Sequence, residues 1–182
     1  MERSLCVAGF GGQGVMTLGR FLSQAACDST DLNVTFFPSY GAEQRGGTAN
    51  CFVVISDEPV GAPVPDQMDA LMVMNQPSLT KFLHTLRPGG TLFINSSIVS
   101  SDIPRNDVTV VEVPGTELAL EMGNAKVLNI IMLGVYVGCT GIIDPKIIWN
   151  TIEKKLGSKP QLLPLNKQAF EKGLAIGVAA SK

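Results

Sequence analysis

Apolar positions along the chain fall into two rhythms: short unbroken runs, and longer stretches with apolar residues three and four apart. Leu5-Cys6-Val7-Ala8 is an unbroken run ending at glycine, which predicts a fully buried first strand. From Val15, the positions Leu18, Leu22, Ala25 and Ala26 keep helical spacing and give a helix one face to lay on a sheet. Val34-Thr35-Phe36-Phe37 predicts a second strand, which Pro38 keeps from extending as a central one. Asn50-Cys51-Phe52-Val53-Val54-Ile55-Ser56 predicts a third, with Asp57-Glu58-Pro59 as its turn. Pro63 and Pro65 then make an extended connection.

Ala70-Leu71-Met72-Val73-Met74 predicts another buried strand, and Pro77 suits the first turn of the helix after it, whose apolar face is Leu79, Phe82, Leu83 and Leu86. Arg87-Pro88-Gly89-Gly90 ends that helix. Thr91-Leu92-Phe93-Ile94-Asn95 and Val108-Thr109-Val110-Val111-Glu112-Val113 predict two more strands. Beyond Pro114 the pattern is helical, over residues 116–122, 127–143, 145–156 and 167–179, with Asp144 and Asn166 as N-caps of the last two. Strands alternating with helices predict a single α/β domain over residues 1–182. Its layers are α/β/α around an open, mainly parallel sheet, with a mixed sheet left open as the alternative.

Residues 127–143 are the most membrane-like stretch, yet fall short of the roughly 20 apolar residues a spanning helix needs. A helix buried on most sides is the expectation. Gly134 and Gly138 share one face of it and permit another helix, in this domain or in a partner, to approach closely.

Composition narrows the functional classes. A chain of 182 residues fits one domain that buries about 70% of its unfolded surface. Its formal net charge of -2 and lack of a basic cluster give no reason to bind nucleic acid or an anionic membrane. Charged residues are 16% and apolar ones 45%, a charge-poor composition that leaves apolar surface for a partner, a homodimer of isolated copies included. Cys6, Cys27, Cys51 and Cys139 are too scattered for a zinc or iron–sulfur site and read as free thiols. No continuous apolar core of a signal peptide follows Met1, so the expected compartment is the cytoplasm.

Candidate chemistry centres on two glycine-rich segments, each following a predicted strand. Gly9-Phe10-Gly11-Gly12-Gln13-Gly14 matches G-x-G-x-x-G and feeds a helix N-terminus, the physics of a phosphate cradle. The ribose-binding acid of a dinucleotide site is missing, since the second strand ends at Phe37-Pro38-Ser39 with Asp28 and Asp31 before it. The P-loop lysine is missing as well, because Val15, Met16 and Thr17 follow Gly14. In Ser39-Tyr40-Gly41-Ala42-Glu43-Gln44-Arg45-Gly46-Gly47-Thr48, Glu43 and Arg45 are the only full charges. They pair locally, or Arg45 offers its planar fork to a carboxylate, a phosphate or a neighbouring chain.

The remaining polar groups offer little for catalysis. His84 is the only histidine and sits near a helix end, so no histidine metal site is expected. Glu117 and Glu121 read as one exposed helical edge, and Trp149 and Phe170 as packing anchors. No serine elbow or cysteine with a base partner is visible, so no catalytic residue is assigned.

The ordered motifs Gly9-Phe10-Gly11-Gly12-Gln13-Gly14-Val15, Pro38-Ser39-Tyr40-Gly41-Ala42-Glu43-Gln44-Arg45-Gly46-Gly47, Ile55-Ser56-Asp57-Glu58-Pro59 and Leu165-Asn166-Lys167-Gln168-Ala169-Phe170 span nearly the whole chain. Together they resemble the gamma subunit of 2-oxoacid:ferredoxin oxidoreductases. Arg45-Gly46-Gly47-Thr48-Ala49-Asn50-Cys51 and Met74-Asn75-Gln76-Pro77-Ser78 look most like the 2-oxoglutarate branch. The resemblance implies a noncatalytic subunit, with alpha and beta partners, a delta subunit in some complexes, and ferredoxin reached through the complex. Thiamine diphosphate, Mg2+ and iron–sulfur clusters are then expected in the partners, with coenzyme A as co-substrate. Gly11, Gly12, Gln13, Tyr40, Glu43 and Arg45 are expected at a subunit interface or close to a ligand. Two alternatives stand beside this one: a stand-alone nucleotide-binding oxidoreductase, and a coenzyme A or phosphate-binding module whose Arg45 grips the ligand.

Overall fold

The first apolar run becomes the middle of a mixed sheet. The computed structural model describes residues 1–40 and 48–181, and in it the chain forms two compact units, Met1–Pro114 and Gly115–Lys182. The first unit holds all six described strands, β1 (Glu2–Phe10), β2 (Asn33–Tyr40), β3 (Thr48–Ser56), β4 (Met68–Val73), β5 (Leu86–Asn95) and β6 (Thr109–Val113), in the order β2-β3-β1-β4-β5-β6. β1, β4, β5 and β6 pair in parallel, while β3 runs antiparallel to both β1 and β2. Five strands therefore share one direction, which gives the mixed variant of the expected sheet.

Chain length explains the odd strand. Only residues 41–47 join β2 to β3, too few for the dozen or so that a parallel crossover needs, so β3 turns back and fills the slot between β2 and β1. Pro38 lies within β2, opposite Cys51, and is tolerated because β2 is an edge strand with no second neighbour to serve.

Two helices cover opposite faces of this sheet. Helix α1 (Val15–Ser29) packs on the face carrying Phe36 and Cys51: a Cβ at Gly19 would lie 2.5 Å from Cys51 Sγ and 2.8 Å from Phe36 Cε2. Helix α2 (Gln76–Phe82) packs on the other face, where Leu79 and Phe82 join Cys6, Ala8, Phe52, Leu71 and Val73 in one buried cluster. The period of two in β3 puts Cys51 and Phe52 on opposite sides. Asn75 caps α2 by accepting the Ser78 N–H at 2.9 Å.

The predicted boundary at Arg87-Pro88-Gly89-Gly90 is corrected. Helix α2 ends at Phe82, a single 3-10 turn over Leu83–Thr85 follows, and strand β5 already starts at Leu86. Arg105 fixes this junction, donating to the carbonyls of Leu83 (3.2 Å) and Leu86 (2.5 Å) while Asp107 holds its guanidinium.

The second unit is helical: α3 (Gly115–Glu121), α4 (Leu128–Thr140), α5 (Pro145–Leu156) and α6 (Leu163–Ala180). Every residue from Leu128 to Val137 is buried, as expected for the apolar stretch, and among the described residues no helix is long and apolar enough to cross a membrane. The close approach allowed by Gly134 and Gly138 is made inside the unit, to α6. A Cβ at Gly134 would meet the Phe170 carbonyl, and one at Gly138 the Leu174 carbonyl. Gly173 and Gly177 answer from α6 against the carbonyls of Ile131 and Val135. Asp144 caps α5 as predicted, accepting the Lys146 N–H at 2.8 Å. Asn166 is no cap: α6 begins at Leu163, and the buried Asn166 side chain donates back to the Leu162 carbonyl at 2.8 Å. Pro164, with no N–H to leave orphaned, occupies the first turn.

Candidate functional site

Both glycine-rich segments hang from the same edge of the sheet. Phe10, the last residue of β1, is opposite Thr48, the first of β3, and Tyr40, the last of β2, is opposite Ala49. The roots of the two loops are thus adjacent, at the carboxyl end of β1. Gly41, Ala42, Glu43, Gln44, Arg45, Gly46 and Gly47 lie outside the described residues.

The same edge contains a switch point. At the end of β1 the chain leaves for α1 on one face, and at the end of the adjacent parallel strand β4 it leaves for α2 on the other. Connections departing in opposite directions from neighbouring parallel strands open a crevice, where open α/β sheets bind their ligands. Residues 10–16, 74–80 and 96–101, the described loops and helix starts around it, carry no charged side chain.

Gln13 bridges the crevice. Its Nε2 donates to the Met74 carbonyl at 3.0 Å. Its Oε1 accepts from the Phe10 N–H at 2.7 Å and from Asn75 Nδ2 at 3.3 Å. Gly9 makes this possible, since a Cβ there would stand 2.7 Å from Gln13 Oε1 and 2.9 Å from Met74 Cβ. Gly12 at φ 96° and Gly14 at φ 77° supply the left-handed turns that bring Gln13 back over the strand end. Three of the four glycines therefore serve the loop's own geometry. Gly11 is different: a Cβ there meets nothing within 4 Å among the described residues, its φ is not positive, and its backbone is exposed beside Phe10, which is 38% exposed.

The structure brings Gly11, Gly12 and Gln13 to the strand end that also roots Tyr40, and gives Gln13 an intramolecular role as the tie between two loops. Asn75 is the residue that sequence reasoning missed. Its signal was present in Asn75-Gln76-Pro77, where an N-cap side chain can serve its own helix through Oδ1 and still offer Nδ2 elsewhere.

The cysteines divide by burial. Cys6 and Cys51 are fully buried in β1 and β3. Burial drives the Cys51 thiol up to about 12. It drives Cys6 well above its ordinary range too, with the neighbouring Cys51 adding to the effect. Protonated, buried thiols are inert. Cys27 is exposed and Cys139 half-buried. His84 is exposed on the 3-10 turn, and Glu117 and Glu121 are exposed on α3. Among the described residues no three His, Cys, Asp or Glu side chains group as metal ligands.

The fold and the crevice define an open α/β sheet whose described strand-end segments carry no charged side chain and are tied together by Gln13. This chain belongs to the pyruvate ferredoxin/flavodoxin oxidoreductase family, whose model matches residues 4–176. It is 40% identical over 92% of its length to the ketoisovalerate oxidoreductase subunit VorA of Methanothermobacter thermautotrophicus, and spans about a third (35%) of that relative's length. It is 32% identical to the 2-oxoglutarate synthase subunit KorC of Methanocaldococcus jannaschii, the match covering 97% of this chain and 94% of the relative. Its fold is that of the gamma subunit of a keto/oxoacid ferredoxin oxidoreductase from Geobacter sulfurreducens, with TM-score 0.88, 27% identity, and 100% and 99% of the two chains covered. A 2-oxoglutarate:ferredoxin oxidoreductase from Magnetococcus marinus, solved with 2-oxoglutarate, coenzyme A and succinyl-CoA bound, matches at TM-score 0.89 and 27% identity over 98% of this chain and 31% of that one.

Proposed function

We propose that this chain is the gamma subunit of a thiamine diphosphate-dependent 2-oxoacid:ferredoxin oxidoreductase complex acting in the cytoplasm. The complex converts a 2-oxoacid and coenzyme A to acyl-CoA and CO2, passing electrons to ferredoxin. The observation that carries this reading is the end-to-end match to relatives of the same length, KorC (97% and 94%) and the Geobacter gamma subunit (100% and 99%). Thiamine diphosphate and the iron–sulfur clusters belong to alpha, beta and delta partners, where the reacting atoms meet. Gly11, Gly12, Tyr40, Glu43 and Arg45 form the edge that meets a partner subunit or coenzyme A, with Gln13 holding the edge in shape.

The acid carried forward from the motifs at Arg45 and Met74 is 2-oxoglutarate. A second acid, 2-oxoisovalerate, is favoured by the 40% identity to VorA against 32% to KorC. A subunit that does not touch the reacting carbon does not itself select the acid, so the choice is read from the complex. Co-expression of a tagged chain with its partner subunits tests the proposal: the tag recovers them, and the complex reduces ferredoxin with one 2-oxoacid and coenzyme A. An isolated chain that stays monomeric beside those subunits and oxidises a 2-oxoacid by itself would refute it.

A further inference from the structure

Helices α5 and α6 line an open groove of about 360 Å³, remote in sequence from the glycine-rich loops. Its floor is apolar. Trp149 and Phe170 meet with ring centroids 6.4 Å apart and planes inclined by 32°, and Leu174 continues the floor. The rim is polar: Lys146, Lys167 and Glu171 line it and are all exposed.

This anatomy separates two kinds of occupant. A site for a small metabolite sets a few polar groups inside an apolar pocket, where they read the ligand's own polar atoms. Here the charged groups all stand on the rim around an apolar centre anchored by a half-exposed tryptophan, the layout of a protein interface. A volume of 360 Å³ accepts a leucine- or phenylalanine-sized side chain together with the backbone on either side of it.

Charge selects among polypeptides. Residues 1–114 hold six lysines and arginines against eleven acids, whereas residues 115–182 hold eight lysines against five acids. Neither Lys146 nor Lys167 is in an ion pair among the described residues, and Lys167 Nζ instead lies 6.0 Å from the centre of the Trp149 ring. The rim thus sets two ammonium groups, one of them over the Trp149 face, against the single carboxylate of Glu171, a positive balance complementary to an apolar side chain flanked by a carboxylate.

We infer that the α5–α6 groove is a docking site for an acidic segment of a partner subunit, which seats one apolar side chain on Trp149 and Phe170 and sets its neighbouring carboxylate against Lys146 and Lys167. This inference rests on the proposed role as a subunit of a larger complex, and adds a second contact region to the strand-end edge.

Trp149 is the only tryptophan in the chain, so 5-fluorotryptophan incorporated into this subunit alone gives a single 19F resonance from the groove. Assembly with unlabelled partner subunits is expected to shift that resonance and to abolish its H2O/D2O solvent shift. The double variant Lys146→Glu, Lys167→Glu should keep its helical circular dichroism and lose at least tenfold in partner affinity. The control Lys154→Glu, Lys155→Glu, with the same change in charge, should bind as the parent does. An assembled complex whose resonance stays solvent-sensitive overturns the groove while leaving the gamma-subunit reading intact. Failure of the parent chain to assemble at all overturns both. A resonance that shifts when the isolated chain self-associates, and no further in the complex, gives the groove to a second copy and overturns the partner assignment.

Discussion

Gln13 donates its side-chain amide to the main-chain carbonyl of Met74, across the gap between β1 and β4. Those strands send their helices to opposite faces of the sheet, so the bond ties two loops that nothing in the chain direction keeps together. Gln13→Leu keeps the bulk and removes every hydrogen bond of the tie, leaving the fully buried Met74 without its partner. A net loss of about 1–2 kcal/mol is expected, since an orphaned buried acceptor loses more than the bond itself contributes. Urea denaturation of the parent and the variant measures it. An unchanged midpoint would show that Gln13 is free to serve a ligand instead.

Glycines with the same chemistry have opposite mutational consequences here. Gly173→Ala drives a methyl into the Ile131 carbonyl at the α4–α6 contact, and is expected to cost at least about 2 kcal/mol because the obstacle is backbone and cannot rotate away. Gly11→Ala meets open space and should leave stability within about 0.5 kcal/mol of the parent. If the strand-end edge is an interface, Gly11→Ala nevertheless weakens assembly with the partner subunits. Thermal melts with quantitative co-purification separate the two effects, and a Gly173→Ala chain as stable as the parent contradicts the helix contact.

Much of this arrangement was legible in the sequence. Unbroken apolar runs located the strands, Asp144-Pro145 located the start of α5, and Gly134 with Gly138 announced a close helix contact. A mixed sheet stood only as the alternative left open, because the strands read from the sequence stop at Phe37 and resume at Asn50, which hides how short the connection between β2 and β3 is. Local patterns failed where tertiary contacts decide. Leu86 reads as a helix position by spacing, yet it starts β5, where it pairs with Met68 of β4 and Arg105, 19 residues on, donates to its carbonyl. Asn166 reads as a cap, yet Pro164 had already begun the helix two residues earlier. The site was half legible: the sequence showed two glycine loops, but not that Gln13 and Asn75 join across a gap, because the residues at positions 13 and 75 are brought together only by the parallel pairing of β1 with β4.

Thiol chemistry gives a pH-dependent prediction. Cys51 ionises near 9 when unfolded and near 12 in the fold, because burial disfavours the thiolate. A raised folded value means stability that is complete below pH 9 and lost as pH rises from 9 towards 12, where the unfolded chain gives up its proton first. Cys6 acts in the same direction. Chemical denaturation of the parent should therefore weaken across that window, and a Cys51→Ala variant should show a shallower decline. At pH 8, dithiobis(nitrobenzoate) should modify Cys27 fast, the half-buried Cys139 slowly, and Cys6 and Cys51 only on unfolding. Rapid modification of all the thiols in the native chain would mean that the sheet core opens readily.

The proposed role of this chain is to contribute an interface and not a reacting group. The direct measurement is ferredoxin reduction driven by a 2-oxoacid and coenzyme A, with the partner subunits assayed alone, this chain assayed alone, and the two combined. The account predicts no turnover from this chain, and turnover that depends on its addition to the partners in stoichiometric complex. Equal turnover by the partners with and without a bound gamma chain, or turnover by the gamma chain alone, would contradict it.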